Sequence, residues 1–140
     1  MKNKIIYSDF NQDTGESIVI IRNKLGDFHG VADLHPEEEH VSSFVGCRYA
    51  EARAHIACAQ YQRDVLDTQI KALKDFENIL KGKWDYNEHS MEAKRLRRRI
   101  HELKEQRMEM KNKIIAMKAA LKKAMDERDE FVNNKLNKNG

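Results

Sequence analysis

Three short runs near the start of the chain alternate or cluster β-branched and aromatic residues: KIIYSDF, SIVIIR and DFHGVADL, beginning at residues 4, 17 and 27. Between them lie NQDTGE and NKLG, whose Gly15 and Gly26 can take positive φ, so the pattern predicts strands joined by tight turns. Strands so connected form an antiparallel meander with one apolar face, and such a sheet needs a covering layer.

The pattern then changes period. In HPEEEHVSSFVG, His35-Pro36 ends the third strand, Glu37, Glu38 and Glu39 suit a first helical turn after a proline, and Ser42, Ser43 and Gly46 predict an interruption. From Cys47 to about Leu80 there is neither Gly nor Pro, and Ile56, Ala59, Leu66, Ile70, Leu73 and Leu80 make a near-heptad stripe with Arg63 and Glu77 at its polar positions. Ala50, Ala52, Ala54, Ala57, Cys58 and Ala59 crowd the opening turns of this helix, which permits close approach of another backbone. Gly82 in KGKWDYNEHS signals a C-cap, and Asp85 or Asn87 can cap the next helix. That second helix is predicted from about Glu88 to Val132, about 65 Å if unbroken, with the tail NNKLNKNG frayed.

The expected fold is therefore α+β: a small N-terminal antiparallel β-meander followed by two long antiparallel helices. The sheet and its connecting segment would occupy residues 1–45, and a long helical hairpin with a frayed C-terminus residues 46–140. A helix of that length outruns its neighbour, so part of it projects or pairs with another subunit. The second helix also contains an anomaly. Leu96, Leu103, Met110, Met117 and Ala124 form one heptad series, and Ile100, Arg107, Ile114 and Leu121 its companion, so Arg107 stands on an apolar seam. A charge there costs stability unless a salt bridge to Glu77 or Glu102 or an anionic ligand neutralises it, or the side chain snorkels to the rim.

Composition sharpens this picture. Of 140 residues, 40% are hydrophobic and 35% charged, with one Pro and six Gly, which excludes a disordered chain and points to helices with wide solvated faces whose apolar stripes need partners. An oligomer, at least a dimer, is expected. The formal net charge of +3 conceals an asymmetry: residues 1–44 hold four basic and eight acidic side chains, residues 90–124 twelve basic and four acidic. RLRRR at residues 95–99 is the densest basic run, but no helix-turn-helix or RNA-reading aromatic motif accompanies it, so specific nucleic-acid recognition is not expected. Cys47 and Cys58 lie on one expected helix about 16 Å apart by rise, too far for a disulfide, and read as small buried residues of a reducing cytosol. Neither a signal peptide nor a membrane span is expected.

No dinucleotide, phosphate-loop, zincin, EF-hand or nucleophile-elbow motif occurs. His29, His35 and His40 with Glu37 to Glu39 match no metal-ligand spacing, and His89 and His101 stand alone, so an enzyme is not expected and no cofactor is called for. The remaining chemistry suits binding. Phe10, Arg22, Phe28, Trp84 and Tyr86 lie near loop ends, where rings can stack on a flat base and a guanidinium can clamp phosphate. Trp84, alone in a short polar loop, is either a plug on the core or a stacking platform.

The segment GDFHGVADLHPEEEHVSSFVGCRYAEARA at residues 26–54, with the opening KIIYSDF and two helices joined by a short aromatic loop, resembles the small phage proteins known as Thoeris anti-defence proteins of the first type. The resemblance implies an oligomeric sponge that encloses cyclic ADP-ribose isomers made by TIR-domain enzymes, in the cytoplasm of the infected bacterial host, without degrading them. It implies pockets between subunits, with aromatic stacking on the base and arginines on the diphosphate. On this chain it maps those roles to Arg22, Arg53, Trp84 and Asn87, and to Arg107, with Arg98 and Arg99 as alternatives, on the second helix; Phe10 joins the candidate site as a ring near a loop end. Some members of that family also bind cyclic oligonucleotides at a separate site. Two other readings remain open: a coiled-coil-like phage protein that inhibits a host protein, and a module that binds nucleic acid without sequence preference.

Overall fold

The computed structural model describes residues 2–33 and 43–138. Its elements are β1 (Lys4–Phe10), β2 (Glu16–Asn23), β3 (Gly26–Asp33), α1 (Ser43–Lys81) and α2 (Met91–Lys138). The three strands form one antiparallel sheet in the order β1-β2-β3, the expected α+β layout.

Both hairpin turns result from local chemistry. In the first, Asn11 Oδ1 accepts the amides of Asp13 and Thr14, its carbonyl accepts the amide of Gly15, and Gly15 takes φ 75°. In the second, Asn23 Oδ1 accepts the amide of Leu25 and Gly26 takes φ 130°. Asparagine supplies the side-chain acceptor and glycine the left-handed backbone. The register shifts between Ile5 and Tyr7, where β1 carries a bulge against β2.

The chain divides into two compact units that cut across both helices. The first comprises Met1–Cys58 and Ile114–Gly140, the second Ala59–Lys113. In the first unit the alternate residues Ser17, Val19 and Ile21 of β2 and Ala32 of β3 are buried, and Tyr49, Ala50 and Ala54 of α1 share their core. Phe28, Val45, Cys47, Leu121 and Met125 pack around that cluster, and the Tyr49 hydroxyl donates to the Ala124 carbonyl of α2. Gly30 marks the crossing point: a Cβ built there would lie 2.0 Å from the Ala50 carbonyl oxygen and 2.5 Å from the Ala54 amide nitrogen. Of the small residues expected to permit close approach, Ala50 and Ala54 do so against the sheet, with Gly30 opposite them.

The second unit is a helical hairpin with Ile70, Ala93, Ile100 and Leu103 buried. Asp67 of α1 pairs with Arg107 of α2, and Leu80 shares a groove with Ala93, so the two segments run antiparallel. The amide of Gly82 donates to the carbonyls of Asn78 and Ile79 just past the last residue of α1, Lys81, without taking the left-handed backbone of a glycine cap.

Three boundaries differ from expectation. Helix α1 begins at Ser43 rather than near Cys47 and runs through Gly46. Packing of Val45, Cys47 and Tyr49 on the sheet core offsets the cost of a helical glycine, about 1 kcal/mol. Helix α2 begins at Met91 rather than Glu88, and its N-cap is Ser90, whose Oγ accepts the Ala93 amide at 3.2 Å. Asn87 instead closes the preceding turn by accepting the His89 amide at 2.9 Å. Helix α2 extends to Lys138 rather than ending near Val132; residues 133–138 hold no Gly or Pro, and each Asn costs only a fraction of a kcal/mol, roughly 0.7 at most.

Candidate functional site

The loop between the helices brings two of the expected binding residues into one short stretch. Trp84 is 98% exposed, so it does not plug a core within this chain. Beside it in sequence, Asp85, Tyr86 and Asn87 line a groove of about 180 Å³ together with Leu80, Lys83 and Ala93. Tyr86 is half-buried, and its amide donates to the Lys83 carbonyl, which fixes the turn under the groove. The loop thus offers a free indole face and, next to it, a cleft with an amide side chain at its wall.

Arg107, the anomaly on the seam, forms an ion pair with Asp67 of α1. Both side chains are about half exposed, at 50% and 41%, so the pair lies at the rim of the hairpin rather than in its core. Glu77 and Glu102, the partners considered from sequence, are engaged elsewhere: Glu77 with Lys81 at 3.6 Å and Glu102 with Arg99 at 3.5 Å. Asp67 escaped notice because seven-residue counting treats α1 and α2 separately, whereas the pairing register between them is set only by their packing. Arg63, the polar residue on the first stripe, pairs with its neighbour Asp64 at 3.2 Å. Arg98 is exposed and makes no ion pair among the described residues.

In the sheet unit the expected residues do not gather at one point. Arg22 forms a two-pronged contact with Asp27 on the adjacent strand, at 2.7 and 3.1 Å. The hydrogen bond from Arg22 lowers the Asp27 carboxyl pKa below its ordinary value against an opposing desolvation, with the Arg22 charge adding a lesser lowering. Arg53 donates from Nη1 to the Val31 carbonyl at 2.6 Å and so ties α1 to β3. Phe10 is half-buried and sits opposite Ser17, five residues along β2 from Arg22, which separates the two by about 17 Å of strand. Phe28 packs against the sheet core.

Cys58 is buried and Cys47 half-buried, and both thiols are free. Asn23 Nδ2 donates to Cys58 Sγ at 3.3 Å and the Ser8 hydroxyl to Cys47 Sγ at 3.4 Å, so each thiol serves packing at the sheet–helix contact. His35, His40 and Glu37 to Glu39 lie outside the described residues. Among the described residues no group of three His, Cys, Asp or Glu side chains could hold a metal ion, and no helix is long and apolar enough to cross a membrane.

A further feature was not evident from sequence. Tyr61, Val65, Thr68, Ala72, Phe76 and Ile79 recur at spacings of three and four along α1, and all six are exposed. By helical rotation this stripe lies roughly 120° around α1 from the stripe of Leu66, Ile70, Leu73 and Leu80. One helix therefore carries two apolar stripes on separate faces.

No family model, curated protein or solved structure matches this chain.

Proposed function

We propose that this chain is a phage anti-defence protein that captures a TIR-derived cyclic ADP-ribose isomer and holds it intact, acting as a homo-oligomer of at least two copies in the cytoplasm of the infected bacterium. The observation that carries this reading is the inter-helix loop, where a fully exposed Trp84 adjoins the Tyr86 and Asn87 groove. An indole left in water at a polar loop has no role in folding of the single chain, and its flat face suits a purine ring. The seven expected residues fall in two units, with Phe10, Arg22 and Arg53 in one and Trp84, Asn87, Arg98 and Arg107 in the other. A pocket completed by a second copy accommodates that dispersal. The exposed stripe of α1 gives such a copy an apolar face to cover, for Phe76 and Ile79 are 50% and 63% exposed.

Arg22 and Arg107 are each neutralised by an aspartate in the single chain, so a diphosphate would displace Asp27 or Asp67 to gain a guanidinium fork. Arg53, bonded to the Val31 main-chain carbonyl, and Arg98 need no such exchange. A second reading, an oligomer that inhibits a host protein, draws on the same uncovered stripe and would leave both arginine pairs intact.

The test is to mix the purified protein with a panel of cyclic ADP-ribose isomers and cyclic oligonucleotides, remove the protein, then heat it and analyse the released material by chromatography and mass spectrometry. Depletion of one isomer with release of unchanged mass is the expected result. A new product mass would make the chain an enzyme, and no depletion at micromolar protein would leave the host-protein inhibitor as the reading. Trp84→Ala should lose capture while its melting temperature stays that of the parent.

A further inference from the structure

On the hairpin, a second groove of about 240 Å³ is lined by Lys74 and Glu77 from α1 and by Arg97, Ile100, His101 and Lys104 from α2. The α2 residues are spaced i, i+3, i+4 and i+7, so they share one face of that helix. Ile100 is buried and forms the apolar element of the lining, while every other contributor brings a charge or an imidazole. Three permanent cations thus face one groove that holds a single carboxylate.

That carboxylate, Glu77, is engaged with Lys81 at 3.6 Å. The imidazole of His101 contacts Glu105 at 3.0 Å, an ion pair only when the histidine is protonated. Arg97 donates from Nη2 to the Glu88 main-chain carbonyl at 2.6 Å, which orients the guanidinium without neutralising it. Lys74 and Lys104 line the groove from separate helices, and the charge of Lys74 lowers the Lys104 pKa from its ordinary value, with Glu77 opposing. Cations on a solvated helix face ordinarily diverge into water. Here two ammonium groups, a guanidinium with open donors and an imidazole converge on one concavity, an arrangement that a tetrahedral dianion would relieve.

We propose that this groove binds a phosphate dianion, either free or as the terminal group of a small phosphate monoester, through Lys74, Arg97 and Lys104, with His101 at its edge. The volume admits one phosphoryl group and a small attached moiety. A nucleic-acid backbone fits less well, because the cations surround one point instead of tracking a line of phosphates. None of Phe10, Arg22, Arg53, Trp84, Asn87, Arg98 and Arg107 lines this groove, so the site stands apart from the proposed capture of a cyclic nucleotide.

The test uses the full chain in a phosphate-free buffer at low salt, titrated separately with inorganic phosphate, ribose 5-phosphate and a short DNA duplex, by calorimetry and by NMR of the lysine and histidine side chains. Saturable binding of one phosphate per chain is expected, with the His101 ring resonances shifted and the Lys104 titration midpoint moved up toward that of an ordinary lysine. Lys74→Gln and Lys104→Gln should each weaken binding by about 10-fold, whereas Arg95→Gln, which removes an equal charge elsewhere on α2, should change it little. Tighter binding of ribose 5-phosphate than of phosphate assigns the site to a monoester, and equal binding assigns it to the free ion. The proposal is overturned by no saturable binding up to millimolar phosphate, by equal losses in Arg95→Gln and Lys104→Gln, or by binding of the duplex alone.

Discussion

In the unit built on the sheet, close packing depends on the lack of a side chain at Gly30, for Ala50 and Ala54 press their backbone into the space it leaves. In the hairpin unit the apolar contacts come from Ile70, Ile100 and Leu103, and much of the remaining surface is either charged or, along Tyr61 to Ile79, apolar and uncovered. The difference lies in how much apolar surface each leaves exposed. The sheet covers its face with its own helices, whereas α1 in the hairpin buries Ile70, half-buries Leu66, Leu73 and Leu80, and leaves a second stripe exposed.

The strongest way to break the sheet unit is Gly30→Val. Its Cβ would overlap backbone atoms of α1, which cannot rotate aside, so the loss of stability should be about 3 kcal/mol or more and read as a large fall in the denaturant midpoint. A variant that melts like the parent would mean that α1 does not cross the sheet at Gly30. In the hairpin, Leu103→Ala removes a side chain that is 2% exposed and should cost about 2 to 3 kcal/mol, toward the lower end for such a change because two helices can close on the void. Equal or larger loss than at Gly30 would show that the hairpin, and not the sheet, dominates the fold.

The smallest effect should come from Arg107→Ala. The pair with Asp67 is half exposed and therefore worth about 0 to 1 kcal/mol to the chain without ligand, so the melting temperature should scarcely move. Its effect on nucleotide capture should be larger, about 2 kcal/mol or more in affinity, if the guanidinium exchanges Asp67 for a phosphate. Titration and melting of the same variant separate the roles: an affinity equal to that of the parent removes Arg107 from the site, and a large loss of stability makes it a structural pair.

The strands, their turns and the existence of two long helices were legible from residues 4 to 132 because each rests on local rules. Asparagine and glycine specify the turns, alternation specifies the sheet, and the stretch from Cys47 to Leu80 without Gly or Pro specifies a helix. Sequence also marked Arg107 as out of place and Trp84 as alone in its loop. It could not decide whether the indole faced a core or water, nor that Asp67 would meet Arg107, nor that Lys74 and Lys104 would converge with Arg97 and His101. Those outcomes depend on the register and rotation of one helix against another, which side-chain packing along the whole seam sets jointly. Helix ends shifted for a related reason: Gly46 reads locally as a break, but Val45 and Tyr49 on either side of it pack on the sheet core, and tertiary contact outweighed propensity. Periodicity determined which faces are apolar, and only the folded chain decided which of those faces it covers itself.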